Sequence, residues 1–300
     1  MKVLAAIVTH NRLRLVRRCF ENLKGQSCMP SEILIIDNDS TDGTEDFFRL
    51  EKCSYIKQAN TGSSGGWNTA IDYALKKDFD AIWLMDDDGY PAKSALEVLL
   101  HGFNNNDSCI SSVVLNENSH NKFVFPFPKI YKTKLPVIFG IPRKYYSINS
   151  IKKKLDNRRY PYVHLFNGAL ISINSIRKIG NVSTEFFMFG DEVDYFYRLN
   201  RVGNVSTLFD AKHYHPDVSS RRLNKKKIYF YLRNSIILNK RYFDHYLLRS
   251  CLNIIALSIR VLKRNGLRDF LSLFLGKYKT AFFLGIKHGF SGNMSNDRFS

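Results

Sequence analysis

Three consecutive carboxylates follow an apolar run in the segment Trp83-Leu84-Met85-Asp86-Asp87-Asp88. Adjacent acids repel one another, so a fold that keeps them together at the end of a strand is expected to place a cation beside them. Mg²⁺ and Mn²⁺ prefer carboxylate oxygens, retain several waters and bridge to phosphate. The triplet therefore predicts a divalent metal that carries a nucleotide diphosphate, and the alternative is a solvated acidic turn.

Polar residues also follow three other apolar segments in the first part of the chain. These clusters are Thr9-His10-Asn11-Arg12, Asp37-Asn38-Asp39-Ser40 and Asn60-Thr61-Gly62. Ligands of open parallel sheets bind beyond the carboxyl ends of the strands. Together with the triplet, the three clusters therefore predict one shared site.

The elements that would position these residues follow from the periodicity of the first 115 residues. The apolar pattern predicts strands at 2–10, 32–38, 55–59, 81–86 and 110–115, with helices at 11–26, 64–77 and 93–104. Strands that alternate with helices favour an α/β fold, in which helices cover both faces of a mostly parallel sheet.

The rest of the chain is predicted to be less regular and then helical. Residues 116–160 show little periodicity and are interpreted as a long, partly mobile basic insertion. Residues 162–174 are interpreted as a strand followed by a short helix. A further helix is predicted within 186–203. From residue 225 the pattern is helical, with expected interruptions at Gly266, Gly276, Gly285 and Gly289. This organisation predicts a catalytic domain at 1–220 and a basic amphipathic helical region at 221–300.

Basic residues are concentrated in two segments of the chain, whose formal net charge is +18. Residues 221–300 hold 17 lysines and arginines against 3 acids, and residues 129–159 hold 10 against 1. Such concentration is typical of contact with a polyanion, either nucleic acid or an anionic membrane.

Cysteine use and hydropathy predict the compartment. The five cysteines are scattered and form no C-x-x-C pair, which favours reduced thiols in a cytoplasmic protein. The N-terminus lacks the pattern of a signal peptide. The sequence contains no run of 18 uncharged apolar residues, so we predict no transmembrane helix.

Five motifs occur in a fixed order: IVTHNR, IIDNDSTDGT, NTGSSGGWNTAI, WLMDDDG and FFMFGDEVDYFYR. In this order they resemble the GT-A-fold glycosyltransferases of family 2, and most nearly the bacterial rhamnosyl- and galactofuranosyltransferases, over about residues 1–217. The resemblance implies a Rossmann-like GT-A domain and inverting transfer of a sugar from a nucleotide diphosphate with Mn²⁺ or Mg²⁺.

Donor-binding roles are expected at the polar strand ends. Arg12 is placed to meet the diphosphate or is a helix-surface arginine, and Asp37 and Asn38 correspond to the family's base-binding position. Trp67 is either a sugar-stacking platform or a core anchor. The glycines before it permit close approach of the backbone to an anion. The predicted donor-binding residues are Thr9, Asn11, Arg12, Asp37, Asn38, Asn60, Gly65, Gly66, Trp67, Asp86 and Asp87.

The metal is expected at Asp88, with Asp86 as a second ligand or a ribose contact. The resemblance also implies a histidine ligand downstream, and His215 fits the family spacing better than His213. The segment from Phe166 to Ala169 resembles the family's sugar and acceptor pocket, or is a plain buried strand.

Single-displacement transfer needs one general base for the acceptor hydroxyl. In the family the base is commonly the second acid of an adjacent pair, which is Glu192 here. Many relatives have Asp at that place, so Asp191 remains the alternative. Asp194 and Arg198 are interpreted as a structural pair on one helix face.

Apolar residues with lysine and arginine but few acids fill 246–262 and 270–290. This composition favours contact with an anionic bilayer over simple packing on the catalytic domain. We therefore predict a peripheral enzyme on the inner face of the bacterial plasma membrane. Its expected donor is a UDP- or dTDP-sugar, and its acceptor a lipid-linked glycan.

The predicted reaction transfers a hexose, galactofuranose before rhamnose, during O-antigen or capsule synthesis. Two alternatives remain open at this point. One is a basic nucleic-acid-binding protein, although we predict no nucleic-acid partner because no recognised module occurs. The other is a nucleotidyltransferase on a similar fold.

Overall fold

The computed structural model describes residues 1–131 and 135–295 and confirms the predicted α/β fold with a C-terminal helical region. The strands, β1 to β11, are Val3–Thr9, Glu32–Asp37, Ser54–Lys57, Ala81–Asp86, Tyr90–Pro91, Asp107–Asn116, Ser119–Pro128, Lys144–Ser147, Arg159–Tyr160, Asn167–Ser172 and Asn204–His215. The helices, α1 to α11, are Leu13–Lys24, Thr44–Arg49, Gly62–Lys76, Ala95–Gly102, Ile148–Ile151, Ile173–Ile179, Asp191–Leu199, Lys225–Tyr242, Tyr246–Asn265, Leu267–Leu275 and Lys279–Ser291.

The chain divides into two compact units. The first contains Met1–Asn60, Gly65–Val182 and Tyr195–Asp217, and the second contains Thr61–Ser64, Ser183–Asp194 and the described residues from Val218 onward. The C-terminal helices thus form one unit with two short segments from earlier in the chain. The predicted boundary at residue 220 stays a prediction.

The first unit is built on a mixed sheet with the order β3-β2-β1-β4-β10-β6-β11-β5. Strands β3, β2, β1 and β4 are parallel, and so are β6 and β11, whereas β10 runs antiparallel to both of its neighbours. Because β1 lies between β2 and β4, the carboxyl ends of these three strands meet at one edge of the sheet.

Both faces of the sheet are covered, which explains the continuous apolar run of β1. Val3, Ala5 and Ile7 pack in one core cluster with α1 residues such as Phe20. Leu4, Ala6 and Val8 pack in another cluster with α3 residues such as Ile71. Successive side chains of a strand point to opposite faces, so a strand that is apolar throughout must be buried on both sides.

The segment 116–160 contains regular structure although its sequence shows little periodicity. This segment holds β7, β8, β9 and the short helix α5. Charged and polar residues interrupt the apolar alternation of these strands, and their pairing is irregular, with register shifts between β6 and β7 and between β7 and β8. The periodicity that marks a half-buried strand is therefore weak here.

Two of the four expected glycine breaks in the C-terminal helices are wrong. Gly266 and Gly276 do end α9 and α10, but Gly285 and Gly289 lie inside α11. A Cβ at Gly285 would lie 2.9 Å from the Tyr229 carbonyl oxygen, and one at Gly289 would lie 2.8 Å from Ile236 Cβ. These glycines therefore permit close packing of α11 on α8 instead of breaking the helix.

Candidate active site

The carboxyl ends of β1 and β4 bring the first polar cluster and the acid triplet together. The two strands pair in parallel with Val8 opposite Asp86, so the residues that follow are neighbours. Thr9 Oγ1 donates a hydrogen bond to Asp87 Oδ2 at 2.9 Å. Arg12 Nη1 donates to Asp87 Oδ1 at 2.8 Å and to Asp88 Oδ2 at 3.3 Å. One guanidinium thus bridges two of the three acids.

Burial and charged neighbours shift the pKa values of Asp87 and Arg12. Asp87 and Asp88 are both buried, whereas the Arg12 side chain is half exposed. Burial raises the pKa of Asp87 above its usual range, and the Asp88 charge adds to this, while Arg12 opposes it. Burial lowers the pKa of Arg12, but Asp87 and Asp88 outweigh it, so the arginine pKa is raised. The predicted contact of Arg12 with a diphosphate stays a prediction, and its contacts here are with carboxylates.

Asp88, just after β4, lies in direct contact with His215, at the end of β11. His215 Nε2 lies 2.8 Å from Asp88 Oδ1, and both side chains are buried. The Nδ1 atom of His215 lies 2.7 Å from the Pro216 carbonyl oxygen, which can only accept a hydrogen bond. If Nδ1 carries the proton of the neutral ring, the lone pair of Nε2 faces a carboxylate oxygen, and that arrangement requires a proton or a metal cation between them.

The protein offers few ligands at this position. Within the described residues, no group of three or more His, Cys, Asp or Glu side chains is arranged to hold a metal. The four predicted ligands, Asp86, Asp88, His213 and His215, are therefore not gathered into one cluster. Mg²⁺ commonly binds one or two protein groups and takes its other ligands from phosphate and water. The pair Asp88 and His215 fits a divalent cation of that kind.

His213 is a buried residue of the sheet. Its imidazole is fully buried, and neither nitrogen has a hydrogen-bond partner among the described residues. A Cβ at Gly89 would lie 2.2 Å from its Nε2, and a Cβ at Gly168 would lie 3.1 Å from its Nδ1. Burial and the nearby His215 lower the pKa of His213 to about 3. A neutral ring therefore fills the space between the turn after the triplet and the segment of Gly168.

Arg18 is a site residue that the sequence analysis missed. It lies on α1, and its Nη2 donates to the Asp88 carbonyl oxygen at 2.7 Å. Its Nη1 donates to Glu117 Oε2 at 2.8 Å, and the guanidinium lies 4.5 Å from the centre of the Tyr90 ring. Arg18 thus holds the backbone of the triplet. Its position one turn and a half after Arg12 gave no signal in the sequence.

The predicted base-binding residues are already engaged within the protein. Asp37 is fully buried, and its carboxylate accepts hydrogen bonds from the Ser40 N–H at 2.9 Å and from the Tyr55 hydroxyl. Asn38 is buried, and its Oδ1 accepts a hydrogen bond from Gln58 at 2.8 Å. These contacts shape the loop after β2, and direct contact with a base stays a prediction.

The remaining donor-binding predictions divide between loops and core. Asn11 Oδ1 accepts from the Thr41 N–H at 2.8 Å, which joins the loops after β1 and β2, and Asn60 is exposed. Gly65 and Gly66 are buried, and a Cβ at Gly66 would lie 2.4 Å from Val8 Cγ1. Trp67 is fully buried and stacks on Phe166, with ring centroids 4.5 Å apart. Trp67 is therefore packed in the core, and its contact with a donor sugar stays a prediction.

The second unit contains the adjacent acids at the start of α7. Asp191 is buried, and its Oδ2 has no hydrogen-bond partner among the described residues. Burial and the neighbouring Glu192 raise the pKa of Asp191 to about 7. Glu192 is half buried. The pair therefore includes a carboxyl group that exchanges its proton near neutral pH, as proton transfer at that pH requires.

The loop before these acids has an unusual backbone. Phe187 and Phe189 have φ values of 61° and 59°, a region that costs bulky residues energy. A Cβ at Gly62 would lie 2.1 Å from the Phe187 carbonyl oxygen. Only glycine fits at position 62, so its role is close backbone packing against this loop.

Two side chains of α8 hold this loop, and the sequence analysis missed both. Asn234 Nδ2 lies 3.0, 2.9 and 2.6 Å from the carbonyl oxygens of Phe186, Met188 and Phe189. Arg233 is fully buried, and its Nη2 donates to the Glu185 carbonyl oxygen at 2.8 Å. Its Nη1 lies 3.0 Å from the Ser295 carbonyl oxygen. A basic residue in a basic tail carried no signal that it is buried.

Comparison with known proteins identifies the family. The sequence model of glycosyl transferase family 2 matches residues 5–169. The galactofuranosyltransferase GlfT1 of Mycolicibacterium smegmatis is 27% identical over 221 residues, which are 71% of this chain and 70% of that protein. The low-salt glycan biosynthesis hexosyltransferase Agl10 of Haloferax volcanii is 23% identical over 235 residues, 75% of this chain and 72% of that protein.

Solved structures match the fold along nearly the whole chain. S. aureus TarS 1–349 gives a TM-score of 0.55 at 14% identity, covering 96% of this chain and 89% of that one. The mannosyltransferase PcManGT of Pyrobaculum calidifontis, solved with GDP-Man and Mn²⁺, gives 0.53 at 12% identity, covering 99% and 88%. The likeness shows a GT-A type of fold. With more than half of its length matched by the family model, the chain belongs to glycosyl transferase family 2.

Proposed function

We propose that this glycosyltransferase transfers galactofuranose, or in second place rhamnose, from a nucleotide diphosphate to a lipid-linked oligosaccharide of a bacterial surface polysaccharide such as O-antigen or capsule. The observation that carries the proposal is the buried pair Asp88 and His215 beside the Arg12-bridged acids. The names of the curated relatives favour galactofuranose. Family membership disfavours the nucleic-acid-binding and nucleotidyltransferase alternatives.

In the proposed reaction, Asp88 and His215 hold a Mn²⁺ or Mg²⁺ ion, and Asp86 contacts the ion or the ribose. When bound, such an ion neutralises the charge that develops on the leaving diphosphate, so no general acid is required. Arg12 bridges Asp87 and Asp88, and its half-exposed guanidinium remains available to phosphate oxygens.

The acceptor hydroxyl must lose its proton as it attacks the anomeric carbon. We assign the removal of this proton to Glu192 as general base, with Asp191 as the alternative. A single displacement with one base and no covalent intermediate inverts the anomeric configuration. In this assignment Asp191 and Glu192 act on the acceptor, and the acids of the triplet act on the donor.

The proposed acceptor places the enzyme at the cytoplasmic face of the plasma membrane. No helix of the described residues is both long and apolar enough to cross a membrane. We therefore propose peripheral attachment, and the C-terminal unit is the part of the chain with the composition for it.

A donor screen tests the proposal. UDP-galactofuranose, dTDP-rhamnose, UDP-galactose and UDP-glucose are each incubated with Mn²⁺ or with EDTA, and released nucleotide is measured. We expect Mn²⁺-dependent release of UDP from UDP-galactofuranose that Asp88→Ala and Glu192→Ala abolish. The control Asp78→Ala removes a fully exposed carboxylate and should keep wild-type release. No release from any donor, with no nucleotide binding by calorimetry, would overturn the proposal.

A further inference from the structure

Helix α9 presents an apolar stripe to solvent. Leu248, Ile255, Ile259 and Leu262 are all exposed, Ile255 by 54%. Their spacing of seven, four and three residues places them on one face of the helix. Leu257 and Val261, on the opposite face, are buried in the core of the second unit. The stripe is therefore not the face that α9 uses to pack within its own unit.

Helix α10 also exposes an apolar face. Leu267, Leu271 and Leu275 follow one another at a spacing of four residues and are exposed by 63%, 55% and 90%. On α11, Phe283 and Phe290 are exposed as well. Soluble proteins rarely leave continuous apolar surface of this kind in water unless it binds a partner.

Basic side chains border the stripe. Helix α9 contains no aspartate or glutamate, and its last turns carry Arg260, Lys263 and Arg264. These three cations line a depression of about 440 Å³ together with Ser219, Ser220 and Ile259. Cations and hydroxyl groups are donors that suit a phosphate group. Because Ile259 belongs to both the depression and the stripe, the anion site and the apolar surface are continuous.

We propose that the α9–α10 face binds an anionic phospholipid bilayer. A lipid phosphate occupies the depression beside Lys263, and the stripe enters the interfacial layer. The charge of this region favours an anionic bilayer over a second copy of the chain. Residues 221–300 hold 17 basic residues against 3 acids, so two copies of this face would repel each other. The inference deepens the proposed function and rests on it, because a lipid-linked acceptor lies in the same bilayer.

The test measures vesicle binding of the full-length protein without any sugar donor. The protein is co-sedimented with vesicles of phosphatidylglycerol and phosphatidylcholine, or of phosphatidylcholine alone. One variant, Ile255→Gln with Ile259→Gln, removes apolar stripe residues, and a second, Lys263→Glu, reverses a charge at the depression. The controls are Leu50→Gln, at a position exposed by 88% in the first unit, and Lys76→Glu, at another exposed position of that unit.

We expect binding only to the anionic vesicles, at least tenfold weaker binding by both stripe and charge variants, and wild-type binding by both controls. All substituted side chains are exposed, so unchanged melting temperatures will exclude misfolding. Equal binding by variants and wild type would overturn the inference. So would a wild-type dimer that the stripe variant dissociates and that binds no vesicles. Failure of the donor screen leaves this measurement intact, and failure of vesicle binding leaves the proposed reaction intact, so the reaction and the membrane face are tested separately.

Discussion

At the scale of the residue, the acids of the triplet differ in what surrounds them. Both oxygens of Asp87 accept hydrogen bonds, from Thr9 and from Arg12. One oxygen of Asp88 faces the Arg12 guanidinium, and the other faces His215. Asp87 thus contacts Thr9 and Arg12, whereas Asp88 contacts Arg12 and His215, and only Asp88 has the neighbour that the proposed metal site needs. Identical residues in sequence have different chemistry because each has different neighbours.

Arg12 provides the first test of this division. Arg12→Ala leaves two buried acids without their shared cation, so we expect kcat/KM for the donor to fall about 10- to 100-fold. Arg12→Lys should recover part of it, since one ammonium cannot reproduce the planar bridge. Steady-state nucleotide release measures both. Arg14→Ala, at an exposed arginine in the first turn of α1, is the control, and an equal loss there would contradict the prediction.

The acid pair before α7 is tested by two amide substitutions. Glu192→Gln keeps the size of the side chain but cannot accept a proton, so we expect kcat to fall about 10²- to 10⁴-fold while the donor KM stays unchanged. Asp191→Asn should reduce kcat less. The reverse order of the two losses would make Asp191 the base. Glu185→Gln, at an exposed acid of the same segment, should behave as wild type.

The raised pKa of Asp191 also predicts a pH dependence of stability. An aspartate of the unfolded chain ionises near pH 4, about three pKa units below Asp191 in the fold, at about 7. Between these values the folded state retains the extra proton, so this residue makes the protein less stable as the pH rises from about 4 to 7.

Asp191→Asn removes that penalty. We expect it to stabilise the protein by up to ~4 kcal/mol at pH 8 and not at pH 4. Urea unfolding at the two pH values measures the difference. A gain of the same size at both would show that the effect is not ionisation of this carboxyl group.

At the scale of the element, helix α8 supports the loop that leads to the acid pair. The amide of Asn234 is shared among three carbonyl oxygens of that loop, and the loop contains two phenylalanines with positive φ. Such a backbone persists only where its surroundings determine it. The position of Asp191 and Glu192 therefore depends on a side chain more than 40 residues later in the sequence.

Asn234→Ala tests that dependence. The loop carbonyl groups lose their donor, at a cost of about 1–3 kcal/mol, so the melting temperature should fall. If Asn234 positions the acids, kcat should also fall while the donor KM holds, and the acidic limb of the kcat–pH profile should shift. A lower melting temperature with an unchanged kcat and profile would reveal a structural role only. Ser235→Ala, whose hydroxyl bonds within α8, is the control.

Periodicity predicted the elements whose burial is one-sided or complete. The continuous apolar run of β1 and the helical spacing of α1 identified both correctly. Strands β7 to β9 were not predicted, because polar residues interrupt the alternation of apolar residues along them. Gly285 and Gly289 were misinterpreted because a glycine that permits close helix packing and one that ends a helix are the same letter in the sequence. What separates them is the presence of α8 beside α11.

At the scale of the whole molecule, several of the predicted site residues lie at or directly after the ends of strands. Asp87, Asp88 and Thr9 needed only the rule that parallel strands end at one edge. Arg18, Arg233 and Asn234 act through contacts between distant parts of the chain, which no spacing encodes. The role of Trp67 could not be decided from the sequence, because a tryptophan suits both stacking on a sugar and stacking on Phe166.

The thiols provide a test of the whole fold. All five cysteines are free; Cys19 and Cys109 are buried, and Cys251 is exposed. Burial raises the pKa of Cys19 and of Cys109, which suppresses their reactive thiolates. We expect five thiols to react with Ellman's reagent in guanidinium, but the buried pair to stay unreacted in the native protein. Fewer than five in freshly denatured, unreduced protein would indicate a disulfide.

The fit of His213 between Gly89 and Gly168 restricts how this enzyme can diverge over evolution. A methyl group on Gly89 would collide with the ring, and one on Gly168 would press against it at a positive φ of 88°. A smaller residue at 213 would leave a cavity lined by the turn after the triplet. Single substitutions at these three positions are therefore deleterious, whereas coordinated ones can be neutral. In an alignment of descendants of a common ancestor, the three columns should covary. A lineage that loses His213 should bear a side chain at position 89 or 168.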